Sequence, residues 1–516
     1  MSGDVSLIRP FATVSMSDVD IVGGKNASLG EMIRNLRKLK IDVPDGFATT
    51  ADAYRAFVAD NRIGPAIAEH LKRLKNGAEN LEKCGAAIRA QIRAGEFSEG
   101  FRQQIQAAYA NLCRKAGGKN ISVAVRSSAT AEDLPGASFA GQLETFLNVR
   151  GEQAVLEALR GCFASLFTDR AIAYRESRGF DHMKVAVSVG VQRMVRSDKA
   201  GSGVMFSIDT ETGFPDVVLI NAAWGLGEYV VQGIVDPDEY VVFKPLLAQP
   251  KLKPIIEKRS GAKERKLVYG ARGGKTTRNV STTLRQRQSF VLDDAEILTL
   301  ARWAAAIEQH YGRPMDMEWA KDGETGKLFV VQARPETVES RRIAGALKSY
   351  TLKQKGKELV RGLAIGSAIA AGKVCRLKSA HESHRFPDGA ILVTEMTDPD
   401  WGPIMKRASA IVTAHGGRTS HAAIVSRELG LPAIVGASGA TRLLKDGDNV
   451  TVSCAEGDEG VVYKGLLKFA ETELAIDRIP KTRTHVMFNM ADPAAALRWW
   501  RLPADGIGLA RMEFII

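Results

Sequence analysis

Hydrophobic positions follow two periods along this chain, and their order predicts an α/β protein of several domains. Apolar residues recur at helical spacing over 26–39, 101–114 and 295–311, whereas Ile121–Val125 and Val185–Val189 read as strands. Strand-rich sequence follows from Gly203 to about Tyr269. Met315-Asp-Met-Glu-Trp-Ala320 and Leu328-Phe-Val-Val-Gln332 flank Lys321-Asp-Gly-Glu-Thr-Gly-Lys327, a hairpin pattern that closes a first domain over 1–340. A charged linker over 341–361 leads to a compact α/β unit over 362–465, with short strands at Ala390–Thr394, Ala410–Thr413 and Asn449–Ser453. A second charged linker covers 466–484, and residues 485–516 open with strand-like Val486–Asn489 and then Gly506–Ile516.

Composition narrows the class. Hydrophobic residues make up 45% and charged residues 25%, as in ordinary globular proteins, and 516 residues suffice for two or three cores. Met1–Pro10 lacks the basic start and apolar run of a signal peptide, and the apolar stretch Val217–Val235 is broken by Asn221, Glu228 and Gln232. A cytoplasmic protein without membrane association is expected. The five cysteines are scattered without CxxC spacing, which points to reduced packing residues and not to disulfides or zinc. The net charge is +12, of which +10 falls between Lys251 and Gln288, where twelve Lys or Arg face two Glu. Tyr269 is the only aromatic residue there, so nucleic acid is disfavoured against a solvated hairpin or a surface near bound phosphates.

The sharpest chemistry lies at Gly416-Gly-Arg-Thr-Ser-His-Ala-Ala-Ile-Val-Ser-Arg-Glu-Leu-Gly430. Thr419 or Ser420 can cap a short helix over Ala422–Leu429 that Gly430 stops, so His421 falls in its first turn. Unpaired N–H groups and the helix dipole favour an anion there, Arg418 adds positive charge, and a mostly neutral imidazole is a competent nucleophile. The plainer alternative is a histidine that only caps or packs.

Other segments have the makings of a phosphate site. Val22-Gly-Gly-Lys-Asn26 joins a glycine turn to a helix with Lys25 in the first turn, although a surface lysine reads the same way. A buried strand delivers Arg126 to a loop containing Gly136 and Gly141; a structural pair with Glu132 or Asp133 is the alternative. On the 315–332 hairpin, Glu318 and Gln332 project from neighbouring strands with Arg334 two positions on, oxygen donors of the kind Mg²⁺ prefers beside a phosphate-binding cation. A structural salt-bridge cluster there remains open.

Taken together, the His421 segment, Met315–Trp319 and Val331-Gln-Ala-Arg-Pro-Glu-Thr337 resemble the phosphoenolpyruvate-utilising enzymes, in the form found in pyruvate, water dikinases; Ser420 stands where cysteine is common in that group. The resemblance implies an ATP-grasp-like nucleotide domain, then a swivelling phosphohistidine domain, then the start of a phosphoenolpyruvate/pyruvate-binding β/α barrel. Such a barrel takes about 250 residues, and 485–516 holds too few to close one, so a truncated barrel is expected and this chain alone is limited to the ATP/His421 half-reaction. The implied reaction converts ATP, pyruvate and water to AMP, phosphoenolpyruvate and phosphate through phospho-His421. By motif, Lys25, Arg126, Gly136, Gly141, Gln192 in Val191–Val195 and Glu228 in Ala223–Glu228 would meet ATP, with an ordinary strand end also explaining Gln192. Glu318 and Gln332 would hold Mg²⁺, Arg334 would be catalytic with His421, Arg511 would hold substrate phosphate, and Thr419 would be a regulatory site for a kinase/phosphorylase. A homodimer is implied for the full-length enzyme. The rivals are pyruvate, phosphate dikinase, a phosphocarrier that keeps His421 alone, and a non-catalytic nucleotide-binding module.

Overall fold

A computed structural model describes residues 6–130, 143–249, 251–270, 276–336, 347–418, 420–474, 479, 482–490, 496, 499–500 and 502–510. They fall into two units, 1–202 with 267–280 and 317–334, and 203–266 with 281–316 and 335–516.

The first unit is built on an antiparallel sheet whose strands run in the order Ile8–Pro10, Gly46–Thr49, Val187–Arg193, Val123–Ala129, Thr145–Val149. The two central strands begin two residues later than the apolar pattern alone predicts and run further. Their limits are set by the ladder that pairs Val123 with Arg193 and Ala129 with Val187, information that resides in the partner strand. Val123, Val125, Val189 and Val191 point into one core with Ile88, Ile105, Leu159 and Phe163 of the covering helices. Each such side chain contributes about 1.5–3 kcal/mol by leaving water. Helix Val19–Asn35 is interrupted at Gly23, where φ is 72° and a Cβ would lie 2.5 Å from the Ser128 carbonyl oxygen. Only glycine permits both the left-handed backbone and that approach, which seats the following turn, with Lys25, over the strand carrying Arg126.

In the second unit, strands Gly201–Phe206, Val217–Trp224, Asp238–Phe243 and Ile255–Arg259 lie side by side in that order, packed by helix Asp294–Tyr311. The compact α/β unit expected over 362–465 is a closed barrel of seven strands, in the order Glu358–Ile365, Ala433–Val435, Ala410–Thr413, Ile391–Thr394, Ile369–Arg376, Asn449–Ser453, Glu459–Lys464. Three neighbouring pairs are parallel and the other four antiparallel. Alternation divides the strand residues between two cores: Ile391, Val393 and Val412 fill the barrel, while Leu392 and Ile411 meet Trp401, Met405, Ala422 and Ala423 from the crossover helices. The core positions of the His421 helix are thus the small alanines Ala422 and Ala423, which bring its first turn close to the sheet.

Both charged stretches read as linkers contain strands. Leu347–Leu352 pairs antiparallel with Phe469–Leu474, and Lys348 bonds Glu471 at 2.7 Å. The charges that suggested solvated coil sit on an exposed two-stranded ribbon whose pairing partners are far apart in sequence. Met487–Met490 and Gly506–Ala510 form a parallel pair. No helix among the described residues is long and apolar enough to cross a membrane.

Among its described residues the basic segment 251–288 is mostly exposed or half-exposed strand with a short helix, as expected of a solvated surface, but one of its cations is buried. Lys263 is fully buried, at φ 43°, and its ammonium bonds Asp238 and the Gly261 carbonyl. Asp238 also accepts from the backbone N–H groups of Gly261 and Val291 and from the Tyr240 hydroxyl, so the buried charges are fully partnered. Removing the cation leaves a buried carboxylate without its counter-charge. Lys263→Met is therefore expected to destabilise the second unit by about 3–5 kcal/mol, read as a lower unfolding midpoint in urea, while Lys258→Met on the exposed strand leaves it unchanged.

Candidate functional site

Within the first unit, three of the expected phosphate-site cations, Lys25, Arg126 and Arg334, gather around one carboxylate. Arg126 projects from the strand Val123–Ala129 and donates from Nη2 to Glu318 Oε2 at 2.8 Å and from Nη1 to the Val331 carbonyl at 3.4 Å. The carboxylate partner of Arg126 is thus Glu318, 192 residues away. Burial opposes ionisation of Glu318, but the charge and hydrogen bond of Arg126, then the charges of Arg334 and Lys25, outweigh it and hold the carboxyl below its ordinary range. Lys25, Arg126 and Arg334 therefore all lie within electrostatic reach of one point.

Gln332 lies on the strand Leu328–Pro335 with Arg334, is 4% exposed, and its side-chain amide makes no hydrogen bond among the described residues. Among those residues no group of three or more His, Cys, Asp or Glu could cage a metal. One anionic carboxylate and one amide oxygen instead match the sparse protein ligation of a Mg²⁺ shared with phosphates. The donor set fits that ion. Gln192 sits mid-sheet, opposite Ala124 and Gly46, with its amide donating to the Pro44 carbonyl at 3.4 Å. Gly136 and Gly141 lie outside the described residues.

The second unit carries His421. Ser420, with extended backbone, is the N-cap: its hydroxyl accepts from the Ala423 N–H at 3.4 Å, and His421 is the first residue of helix His421–Leu429. Gly430 ends the helix at φ 69°. The half-buried imidazole meets the Thr397 hydroxyl through Nδ1 at 3.0 Å. Thr397 follows the parallel strand Ile391–Thr394, and the carboxyl ends of parallel strands are where α/β sites gather. That position is the one sign in the sequence that marks Thr397, which is absent from the residues the motifs point to.

The loop before His421 lies against segment 233–239. A Cβ on Gly233, whose φ is 68°, would stand 2.3 Å from Ser420 Cβ, and one on Gly417 would stand 3.2 Å from Pro237 Cδ. Arg418, read as added positive charge for a phosphate, is instead surrounded by acids. It lies 3.3 Å from Asp458 and 3.8 Å from Glu239. Burial opposes its charge, but Glu239, Glu211, Asp458 and Asp209 more than compensate and push its pKa up. At the far end of the helix Arg427 forks onto Glu211, with Nε to Oε1 at 3.1 Å, and the other Glu211 oxygen accepts from the Gly366 N–H at 3.2 Å. None of these acidic partners was legible beforehand.

Glu228 opens the short helix Glu228–Val231 of this unit, accepts from Gln232 at 2.9 Å, and has its pKa raised by burial. Thr419 and Arg511 lie outside the described residues.

Comparison with known proteins assigns two family models to successive stretches of the chain. Residues 19–354 match the family model described as pyruvate phosphate dikinase, AMP/ATP-binding domain, and residues 386–457 match PEP-utilising enzyme, mobile domain. Phosphoenolpyruvate synthase of Escherichia coli (strain K12) is 53% identical, the match covering 100% of this chain and 65% of the relative. Phosphoenolpyruvate synthases of Synechocystis and Aquifex aeolicus are 51% and 52% identical, over 99% and 100% of this chain and 64% and 62% of their own lengths. The chain thus spans less than two thirds of these curated relatives. With a nucleotide-domain model covering well over half of its residues and a mobile-domain model covering the His421 barrel, the chain belongs to the pyruvate phosphate dikinase AMP/ATP-binding family of PEP-utilising enzymes.

Proposed function

We propose that this chain is the nucleotide and phosphohistidine portion of a phosphoenolpyruvate synthase, and that its own chemistry is the transfer of a diphosphoryl group from ATP to His421. The observation that carries the reading is the placement of the imidazole as first residue of a capped helix, with Nδ1 bonded to Thr397. With Nδ1–H donating to the Thr397 hydroxyl, the lone pair resides on Nε2, the nitrogen that attacks the β-phosphorus of ATP as AMP leaves. Helix N–H groups and dipole then favour the anion formed on the ring. In the complete enzyme water removes the terminal phosphate and the remaining phosphoryl passes to pyruvate, for a net yield of AMP, phosphoenolpyruvate and phosphate.

The first unit, read as part of an ATP-grasp-like domain over 1–340, supplies the donor. Arg126, Arg334 and Lys25 bind and neutralise the phosphates, Arg334 at the transferring group, which is most of what phosphoryl transfer asks of a protein. Gln192 and Glu228 are assigned to the nucleoside, Gly136 and Gly141 to the phosphate loop. Glu318 and Gln332 would hold Mg²⁺, whose charge offsets that of the phosphates when bound. Residues 362–465 are the mobile His domain, flanked by the segments 341–361 and 466–484, and 485–516 begins the β/α barrel to which Arg511 belongs. Thr419 is assigned as the target of a regulatory kinase/phosphorylase, and the full-length enzyme as a cytoplasmic homodimer; the five free, buried cysteines fit a reducing compartment. The family model's name also covers phosphate-accepting dikinases; the relatives from Synechocystis and Escherichia coli that match across the chain are named phosphoenolpyruvate synthases, which supports water as the acceptor.

Incubation with β-³²P-ATP and Mg²⁺ should place an acid-labile label on the chain that His421→Ala abolishes; unlabelled wild-type chain would refute the assignment. Arg334→Gln and Glu318→Gln should each slow labelling by about 10²–10³-fold. Thr397→Val, which keeps shape but cannot accept from Nδ1, should slow labelling without lowering thermal stability. γ-labelled ATP, with and without added phosphate, separates water from phosphate as acceptor in the full-length enzyme.

Glu318 also gives a pH signature. Its folded pKa lies below the ordinary 4.5, so the ionised carboxylate contributes stability above pH 4.5 that is lost as pH falls through the lower folded value. The stability difference between wild type and Glu318→Gln should therefore shrink on acidification below that point, followed by thermal melts. If the His domain moves, the Arg427–Glu211 contact must break. Glu211→Gln should weaken it by about 2–5 kcal/mol, seen as faster hydrogen exchange in 421–429.

A further inference from the structure

Apart from the phosphate-site cluster, the first unit holds a cleft of about 1170 Å³ along its edge strand Thr145–Val149, walled by Phe146, Asn148, Arg150, Arg160, Tyr269 and Arg93. Phe146 pairs with Val125 across the ladder, so it shares the Val125 face of the sheet and not the face from which Arg126 reaches Glu318. The cleft and the ATP-handling cluster are therefore on opposite faces of one sheet.

Three arginines line it, and none pairs with a carboxylate among the described residues. Arg93 is exposed and has no hydrogen-bond or ion-pair partner among those residues. Arg160 spends Nη1 on the Gly95 carbonyl at 3.2 Å. Arg150 spends only Nε, on Asn148 Oδ1 at 3.1 Å, and lies 5.7 Å over the Tyr269 ring, which Arg196 covers at 5.0 Å.

Asn148 adopts φ 55°, in the left-handed region that costs a non-glycine residue energy. From that posture it also accepts from Ser122 and donates to the Thr276 carbonyl at 2.8 Å, tying the edge strand to the Tyr269 hairpin. A strained residue so held fixes Arg150 before any ligand arrives. Glu157 is the one carboxylate among the lining residues, so the cleft keeps an excess of positive charge.

We infer that this cleft is a second anion site, separate from the nucleotide and phosphohistidine chemistry, for a small phosphate-bearing metabolite. Guanidinium groups present planar forks suited to phosphate oxygens, and the volume exceeds the roughly 300–1,000 Å³ of typical small-molecule sites. Tyr269 and Phe146 offer apolar walls for the remainder of the ligand.

The test titrates inorganic pyrophosphate, without Mg²⁺, into the whole chain carrying Arg126→Gln, so that the ATP cluster is disabled. Calorimetry should show one remaining binding event, weakened at least about tenfold by Arg93→Glu and by Arg150→Gln. Because Arg93 is exposed and unpartnered, its substitution tests binding with the fold intact, and circular dichroism melts should coincide. Citrate, matched in charge but without phosphorus, should bind roughly tenfold more weakly. No binding up to about 10 mM, binding indifferent to Arg93→Glu, or citrate binding as tightly as pyrophosphate would each overturn the proposal.

Discussion

The buried carboxylate of Asp238 is the constraint on which the surroundings of His421 rest. A charge with no exposure must have every oxygen occupied, and Asp238 meets that demand by gathering Lys263, two backbone N–H groups and the Tyr240 hydroxyl. Those partners come from three separate stretches of chain, around 238–240, 261–263 and 291. Fixing Asp238 fixes its neighbours, and the neighbours are Pro237, against Gly417, and Glu239, beside Arg418. The surface that receives the loop before the histidine is thus set by the solvation requirement of a residue that never touches it.

Charge is deployed in opposite senses in the two units. Around Glu318 the cations Arg126, Arg334 and Lys25 converge on one acid, leaving an excess of positive charge. Around Arg418 the acids Glu239, Glu211, Asp458 and Asp209 converge on one cation. An arginine held in this way is a structural fastener, and its charge is not available to a phosphate in the arrangement seen. Beside His421 the helix terminus, whose N–H groups stay in place whatever Arg418 contacts, is then the element that favours negative charge.

Much of the site was legible because the motifs are local. The cap at Ser420, the stop at Gly430 and the position of His421 all lie within one short stretch where glycine, serine and helix periodicity speak directly. The approach of Arg334 to Glu318 was legible for a similar reason, since a hairpin's alternation says which side chains share a face. The ribbon of Leu347–Leu352 with Phe469–Leu474 was not, because a strand whose partner is more than a hundred residues away shows only its own charges. Lys263 was misread with the rest of its basic segment for the same reason: nothing nearby announces that Asp238 will bury it.

By itself the sequence determined much of the alternation of helices and strands, the helix that His421 opens with its cap and stop, and the presence of Glu318 and Arg334 on one hairpin, because each follows from spacing over a few residues. The tertiary structure decided which carboxylate takes Arg126, that acids surround the charged Arg418, that Thr397 meets the imidazole, and that seven strands close into a barrel. These are pairings between segments remote in sequence. Their energies come from burial, which forces charges and hydrogen-bonding groups to find partners wherever the fold brings one near, and no local pattern records that choice.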